Sequence, residues 1–247
     1  MALTFATFNI RNGWGRDGLH SWPFRRSSTL STISALGADV VGLQEVFEFQ
    51  RRYLSRRMPE LRWFGQGRSG GYRGEQCPIA VHGDRLTVTR HETRWFGWTP
   101  HLPGTRLPGA SFPRITTLAR CWDQRTGAVF DVANTHLDEH VVANRVAGIE
   151  QLAGWLDQSV PTVVLGDLNA DAADSAVFAP LLDAGFQHIE VSGGTSHNFT
   201  GAADGRQIDH IFASPHWIPE QAAVVRERHG RRLPSDHWPV RATLSLR

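Results

Sequence analysis

Thr162-Val163-Val164-Leu165-Gly166-Asp167-Leu168-Asn169 is a short apolar run that stops on polar residues. Thr162 to Leu165 reads as a buried strand, and Gly166-Asp167 as the turn that ends it. The pattern recurs along the chain. Asp39-Val40-Val41-Gly42-Leu43 is a second buried strand, ending at Gln44-Glu45, and the alternation from Leu3 to Phe8 is a first strand ending at Asn9. Ala128 to Thr135 runs into His136, Gln207 to Ala213 carries Asp209, and Asp236-His237 stands just before a late strand from Pro239 to Leu246. Polar residues grouped where strands end are the pattern of a site built on loops over a rigid scaffold.

Helical signals fill the gaps. Ser28 to Leu36 is expected to be a helix stopped by Gly37, and Phe47 to Met58 a second closed by Pro59. Val142, Val146, Ile149, Leu152 and Leu156 give Val141 to Leu156 the helical period. Pro78 to Val81 and Leu86 to Arg90 read as strands, and Ile115 to Trp122 pairs with Ala128 to Thr135 as a hairpin around Arg125-Thr126-Gly127. Gly65 to Gly74 holds five glycines and is expected to be a mobile loop, with Pro100 to Pro113 a second long loop. Interleaved helices, strands and hairpins with no linker describe one mixed α/β domain over residues 1–247.

The composition narrows the chemistry. With 40% hydrophobic residues the chain of 247 can bury a large core, and a net charge of +2 argues against a basic nucleic-acid scaffold while leaving room for a local positive groove. All 26 basic residues are arginine, which excludes lysine Schiff-base and Walker-type phosphate chemistry. The two cysteines, Cys77 and Cys121, form neither a disulfide framework nor a zinc-finger spacing and are expected to be small buried hydrophobes. No apolar run approaches the roughly 20 residues of a membrane span. The N-terminus reads as a strand rather than a signal peptide, so a cytoplasmic enzyme is the expectation.

The strand-end residues sit in short words: Thr7-Phe8-Asn9-Ile10-Arg11, Leu43-Gln44-Glu45-Val46, Asn134-Thr135-His136-Leu137-Asp138, Gly166-Asp167-Leu168-Asn169, Ile208-Asp209-His210 and Ser235-Asp236-His237-Trp238-Pro239-Val240. Carboxylate and amide oxygens are hard ligands for Mg²⁺, Mn²⁺ or Ca²⁺. Histidines beside acids donate to phosphate oxygens or carry protons. Together these are the parts that phosphoryl transfer to water requires. Any one word alone would be an ordinary turn or helix cap; their ordered combination is what points to a site.

The ordered set, from Asn9 to Val240, resembles the endonuclease/exonuclease/phosphatase superfamily, which includes deoxyribonucleases, AP endonucleases, deadenylases, sphingomyelinases and inositol-polyphosphate phosphatases. The resemblance implies an α/β fold, a four-layer sandwich with two central mixed sheets flanked by helices. It implies a divalent-metal site of Glu45, Asn9 and Asp236, with Asp167 and Asn169 opposite, where the attacking water and a second metal would sit. Mg²⁺ or Mn²⁺ is the expected ion, with Ca²⁺ also admissible. His136 would hydrogen-bond the scissile phosphate, and Asp209 and His237 would form an Asp–His dyad. Glu75, in Glu75-Gln76-Cys77-Pro78, matches a family glutamate that orients the first histidine, here His136; the alternative is a solvated loop residue. Arg114 matches a recurrent family arginine, either touching a substrate phosphate together with His136 and Asn169 or bracing the loop before it.

The substrate is less legible. Arg206-Gln207-Ile208-Asp209-His210 departs from the word that inositol phosphatases carry there, and the aromatic insertions of AP endonucleases are short. The leading expectation is a monomeric phosphodiesterase for nucleic acid or a nucleotide-like molecule. A phosphomonoesterase for a sugar or nucleotide phosphate comes second, and an inactive binding module last, because every expected ligand type is present. Trp95, Phe96 and Trp98 are either stacking surfaces or core, with core favoured, and the roles of His197 and His210 stay open.

Overall fold

The strands expected to be buried are the centres of two sheets. The computed structural model describes residues 2–247. The elements in chain order are β1 (Ala2–Asn9), a 3-10 turn (Gly18–His20), α1 (Trp22–Ala35), β2 (Val40–Gln44), α2 (Glu48–Ser55), β3 (Leu61–Phe64) and β4 (Ile79–His82). There follow β5 (Leu86–Trp95), β6 (Ile115–Asp123), β7 (Val129–His136), α3 (Val142–Trp155), β8 (Thr162–Asp167), α4 (Ser175–Asp183), β9 (Gln187–His188), β10 (Asp209–Ala213), β11 (Trp217–Val224) and β12 (Val240–Leu246). Every residue of β2, β8 and β10 is buried, as continuous apolar runs require of central strands.

Each sheet has six strands, in the orders β11-β12-β1-β2-β4-β3 and β5-β6-β7-β8-β10-β9. Each also has a single parallel pair at its centre, β1 with β2 and β7 with β8, while the other neighbours run antiparallel. The two sheets therefore repeat one pattern. The carboxyl ends of the parallel strands carry Asn9, Glu45, His136 and Asp167, and the antiparallel neighbour β10 begins at the same end with Asp209.

Three apolar clusters separate four layers. Between the sheets, Phe5, Phe130 and Trp217 meet edge to face with ring centroids 5.4–5.9 Å apart. On the outer face of the first sheet, Ile33 of α1 and Leu54 of α2 cover Phe8, Val41 and Leu43. On the outer face of the second, Ile149 and Leu152 of α3 and Phe178 and Leu181 of α4 cover Ala133, Val164 and Phe212. The expected four-layer sandwich is the observed one. Among the described residues, no helix is long and apolar enough to cross a membrane.

The departures have local causes. The first helix starts at Trp22 rather than Ser28, because Pro23 in the first turn continues a helix instead of blocking it. The second ends at Ser55, short of Met58. The strands β3, β9 and β11 were not anticipated. Each lies at a sheet edge, and β11 tolerates Pro219 through an irregularity between Pro219 and Gln221. The helix α4 was hidden by its internal Pro180. The glycine-rich segment 65–74, expected to be mobile, is closed on itself. Gly67 N–H donates to Gly71 O at 2.7 Å, Arg68 N–H to Glu75 O at 2.8 Å, and Ser69 N–H to Arg73 O at 3.1 Å. Gly67 is required because any Cβ there would collide with the Arg73 backbone.

Candidate active site

The site begins with a staple beneath it. Gln44, at the end of β2, donates from Nε2 to Asn134 Oδ1 at 2.6 Å and to Thr7 Oγ1 at 2.9 Å. Asn134 of β7 in turn donates to Leu43 O at 2.9 Å and Pro78 O at 2.8 Å, so fully buried amides lock the two sheets together. Gly42 leaves room for this, since a Cβ there would strike the Asn134 side chain. These are functional residues in the supporting sense. They lie inside quoted words but were not singled out, because partners 90 residues apart leave no local trace.

Above the staple, Glu45 projects from a backbone at φ 61° and Asn169 from φ 50°, the left-handed region that costs a glutamate more than an asparagine. Asn9 donates from Nδ2 to Glu45 Oε1 at 3.0 Å and to Asp167 Oδ2 at 2.9 Å. The other Glu45 oxygen accepts from the Asn12 backbone N–H at 2.8 Å and from Asn12 Nδ2 at 3.2 Å. Burial would raise the Glu45 carboxyl, but the His136 ring and the Asn9 and Asn12 donors overcome it and hold the group at about 2. Burial, reinforced by Arg114, lowers His136 to about 4, so at neutral pH the Asn9 and Asn12 donors, with the charged His237 ring, are what keep Glu45 ionised.

Asp167 accepts the Asn169 N–H at 3.0 Å and lies 3.5 Å from His136 Nε2. Burial, with Asp209 close by, pushes its carboxyl up. Asn169 donates to Leu137 O at 3.1 Å, which ties the loop after β8 to the end of β7. Asp209 and His237 are bonded at 2.8 Å through Nδ1. Burial opposes charge on His237, yet Asp209 raises it to about 10, helped by Asp167 and Asp236. Asp236 lies 3.7 Å from Arg11 Nε, and Ser235 donates its hydroxyl to Asn9 O at 2.7 Å while lying 3.1 Å from Asp236 Oδ1.

Asn9, Glu45, Asp167 and Asn169 are thus joined by hydrogen bonds; His136 Nε2 lies 3.5 Å and His237 Nδ1 4.0 Å from Asp167 Oδ2, His237 carrying Asp209 with it, and Asp236 is joined to Asn9 through Ser235. Arg114 is nearly buried. Among the described residues its guanidinium donates no hydrogen bond, and the closest carboxylate is Glu139 at 3.9 Å. It lines a cleft with Glu45, Arg68, Glu75 and His136. The groove between β5, β6 and the end of α3 holds none of these groups and is lined by ion pairs already closed on themselves. The expectation for Glu75 needs correcting. Its carboxylate pairs with Arg68 Nη1 at 2.7 Å, and among the described residues it makes no hydrogen bond to His136.

His210 faces away from the site, donating from Nε2 to Ala170 O at 2.9 Å and accepting from His188 Nε2 at 3.0 Å. That chain braces the Asn169 loop against β10. The His197 ring lies on Trp238 at 4.5 Å between centroids. Trp95 and Phe96 are core, Trp98 is exposed, and both cysteines are buried and free.

The donor set suits a divalent cation. Glu45 and Asp167 each offer a carboxylate beside the Asn9 amide, which donates one N–H to each, and Asp236 sits at the border of the group. Asp209 Oδ1 is buried without a partner, while its Oδ2 pairs with His237. Oxygens of Asp167 and Asp209 and a nitrogen of His237 also lie within 4.8 Å of one another. His237 Nδ1 is engaged with Asp209, however, which leaves the carboxylate oxygens as the available hard donors.

A four-layer sandwich with acids and histidines on the ends of its parallel strands defines a class. The profile of the Endonuclease/Exonuclease/phosphatase family matches residues 6–237, and the chain belongs to that family of phosphoester hydrolases. An endonuclease/exonuclease/phosphatase family protein from Bacteroides thetaiotaomicron is 25% identical, with 100% of this chain and 98% of that one covered and a TM-score of 0.93. The mannosyl-6-phosphatase of Bacteroides thetaiotaomicron is 26% identical, with 99% and 100% covered and a TM-score of 0.90. D. rerio TDP2, in complex with single strand DNA product, is 20% identical, with 99% of each chain covered and a TM-score of 0.76, and shares the fold. No curated protein matches the chain.

Proposed function

We propose that the protein is a divalent-metal-dependent phosphomonoesterase acting on a small organic phosphate. The observation that carries this reading is the cleft in which Arg114 has donors to offer beside His136 and Glu45. Free donors on one guanidinium beside one imidazole suit a single terminal phosphate. The 26% identity to a mannosyl-6-phosphatase over the whole chain supports the same reading, whereas the single-strand-DNA relative shares the fold alone. The preference therefore moves from the diester expected first to the monoester expected second.

Glu45, Asn9 and Asp236, with Asp167 and Asn169 opposite, would hold the cation. Bound there, it supplies charge neutralisation at the phosphate oxygens and lowers the pKa of water. The chain's own groups do the rest. Arg114, His136 and Asn169 bind the phosphate oxygens and orient phosphorus toward Asp167. Asp167 positions the attacking water and accepts its proton. His237, held by Asp209, donates to the phosphate as negative charge builds.

With Mg²⁺ or Mn²⁺ supplied, p-nitrophenyl phosphate should be hydrolysed at least about tenfold better than bis-p-nitrophenyl phosphate, a difference of roughly 1.4 kcal/mol. Single-stranded RNA and duplex DNA should be poor substrates in the same assay. The reverse ranking would restore the diesterase reading.

A further inference from the structure

Arg68 and Glu75 close the base of the glycine-rich loop, and neither was expected to face a substrate. Their side chains are 14% and 17% exposed and pair at 2.7 Å. Arg68 is held on every side: its N–H donates to Glu75 O at 2.8 Å, its carbonyl accepts from Trp95 Nε1 at 2.7 Å, and its guanidinium lies 4.3 Å from the Phe112 ring centroid. Ion pairs withdrawn from water add little stability compared with apolar residues of the same size. Stability therefore gives no strong reason to place one in the wall that also holds Glu45, Arg114 and His136.

The valences left over suggest the reason. Among the described residues Glu75 Oε1 accepts nothing, and Arg68 donates only through Nη1. Oε1 and the remaining guanidinium nitrogens are open to solvent, and the pair lines the cleft. A fixed acceptor beside a fixed donor matches a hydroxyl group, which gives one hydrogen bond and receives another. A second phosphate would meet the Glu75 carboxylate, which disfavours a polynucleotide or a bisphosphate.

We propose that the Arg68–Glu75 pair reads hydroxyl groups on the leaving group, and that the substrate is the phosphate monoester of a sugar or polyol. This rests on the monoesterase reading. Arg114 and His136 take the phosphate, the pair takes hydroxyls of the attached ring, and Phe112 offers an apolar surface beside them.

The experiment compares kcat/KM for mannose 6-phosphate with that for phenyl phosphate in the metal-loaded enzyme. The double variant Arg68→Met/Glu75→Leu removes both charges together, so neither is left buried alone. It should lower the ratio of mannose 6-phosphate to phenyl phosphate at least tenfold, chiefly through KM for the sugar. Independently of any variant, a panel of deoxy and anhydro hexose 6-phosphates on the wild-type enzyme should contain a member turned over at least tenfold less well than the parent sugar, because the pair would then be left unsatisfied. An unchanged ratio in the folded double variant, or a flat panel, overturns the proposal while phenyl phosphate turnover upholds the monoesterase reading. Failure on both monoesters with turnover of a diester overturns that reading and the proposal with it.

Discussion

Glu45 combines a left-handed backbone, a carboxyl held at about 2 and donors on both oxygens. Strain of this kind costs on the order of 1–3 kcal/mol and persists where the surroundings enforce it. Glu45→Gln should keep the fold, since glutamine is isosteric, yet abolish most divalent-cation affinity and nearly all turnover. Calorimetric titration with Mn²⁺ decides it, and wild-type affinity in the variant would remove Glu45 from the cation site. The Asp209–His237 contact is a second residue-scale unit. Asp209→Asn should reduce turnover by about 10² to 10⁴, and Asp209→Asn with His237→Ala should cost little more than His237→Ala alone. Fully additive losses in kcat would dissolve the dyad.

Between residues and the whole molecule lies α1, which carries Arg25. This guanidinium is fully buried and donates to His20 O at 2.9 Å, Ile10 O at 2.6 Å, Pro234 O at 3.0 Å and Arg11 O at 2.7 Å. None of these partners is a carboxylate. Burial lowers the group to about 10 even with Asp236, Asp17 and Glu45 nearby to favour its charge. Its role is to bind the loop after β1 to the loop before β12, so that Asn9 and Asp236, from opposite ends of the chain, meet. Thr29 adds a bond to Pro234 O at 2.6 Å. Thr29→Val should therefore cost about 1 kcal/mol, and Arg25→Met several times that, because it strips donors from buried carbonyls. Urea denaturation of both variants checks the order, and equal losses would mean that Arg25 is not the principal clamp. The anticipated strands and helices were legible because apolar period and turn residues are local. Arg25 was not, because each of its partners is a backbone carbonyl, which any sequence supplies.

At the scale of the molecule, buried histidines set the acid limit. Burial, as the leading cause, holds His136, His188, His197 and His210 at about 4, below the ordinary 6.5. The unfolded chain then binds more protons than the folded one between those values, so stability must decline as pH falls from 6.5 toward 4. His237 acts with the opposite sign. Raised to about 10, it contributes stability that is complete below 6.5 and lost as pH climbs toward 10. The metal-free protein should accordingly be most stable near neutrality, and scanning calorimetry across pH 4 to 10 would show it. Replacing His188 and His210 together by glutamine should flatten the acid limb, since a proton on His210 Nδ1 would face the His188 N–H. An unaltered limb in that variant would place the titration elsewhere.

The sequence by itself determined that acids, amides and histidines end a series of buried strands, because side-chain period and turn chemistry are written within a few neighbouring residues. It also carried enough of the family's words to anticipate the sandwich and the Asp209–His237 pairing. Tertiary structure alone decided what those words rest on. Gln44 and Asn134 staple the sheets from 90 positions apart. Edge strands such as β11 exist because β12 offers them a ladder, and Glu75 turned from its expected partner His136 to Arg68 across a folded loop. Such pairings depend on distances that the whole packed chain sets, and no window of sequence contains them.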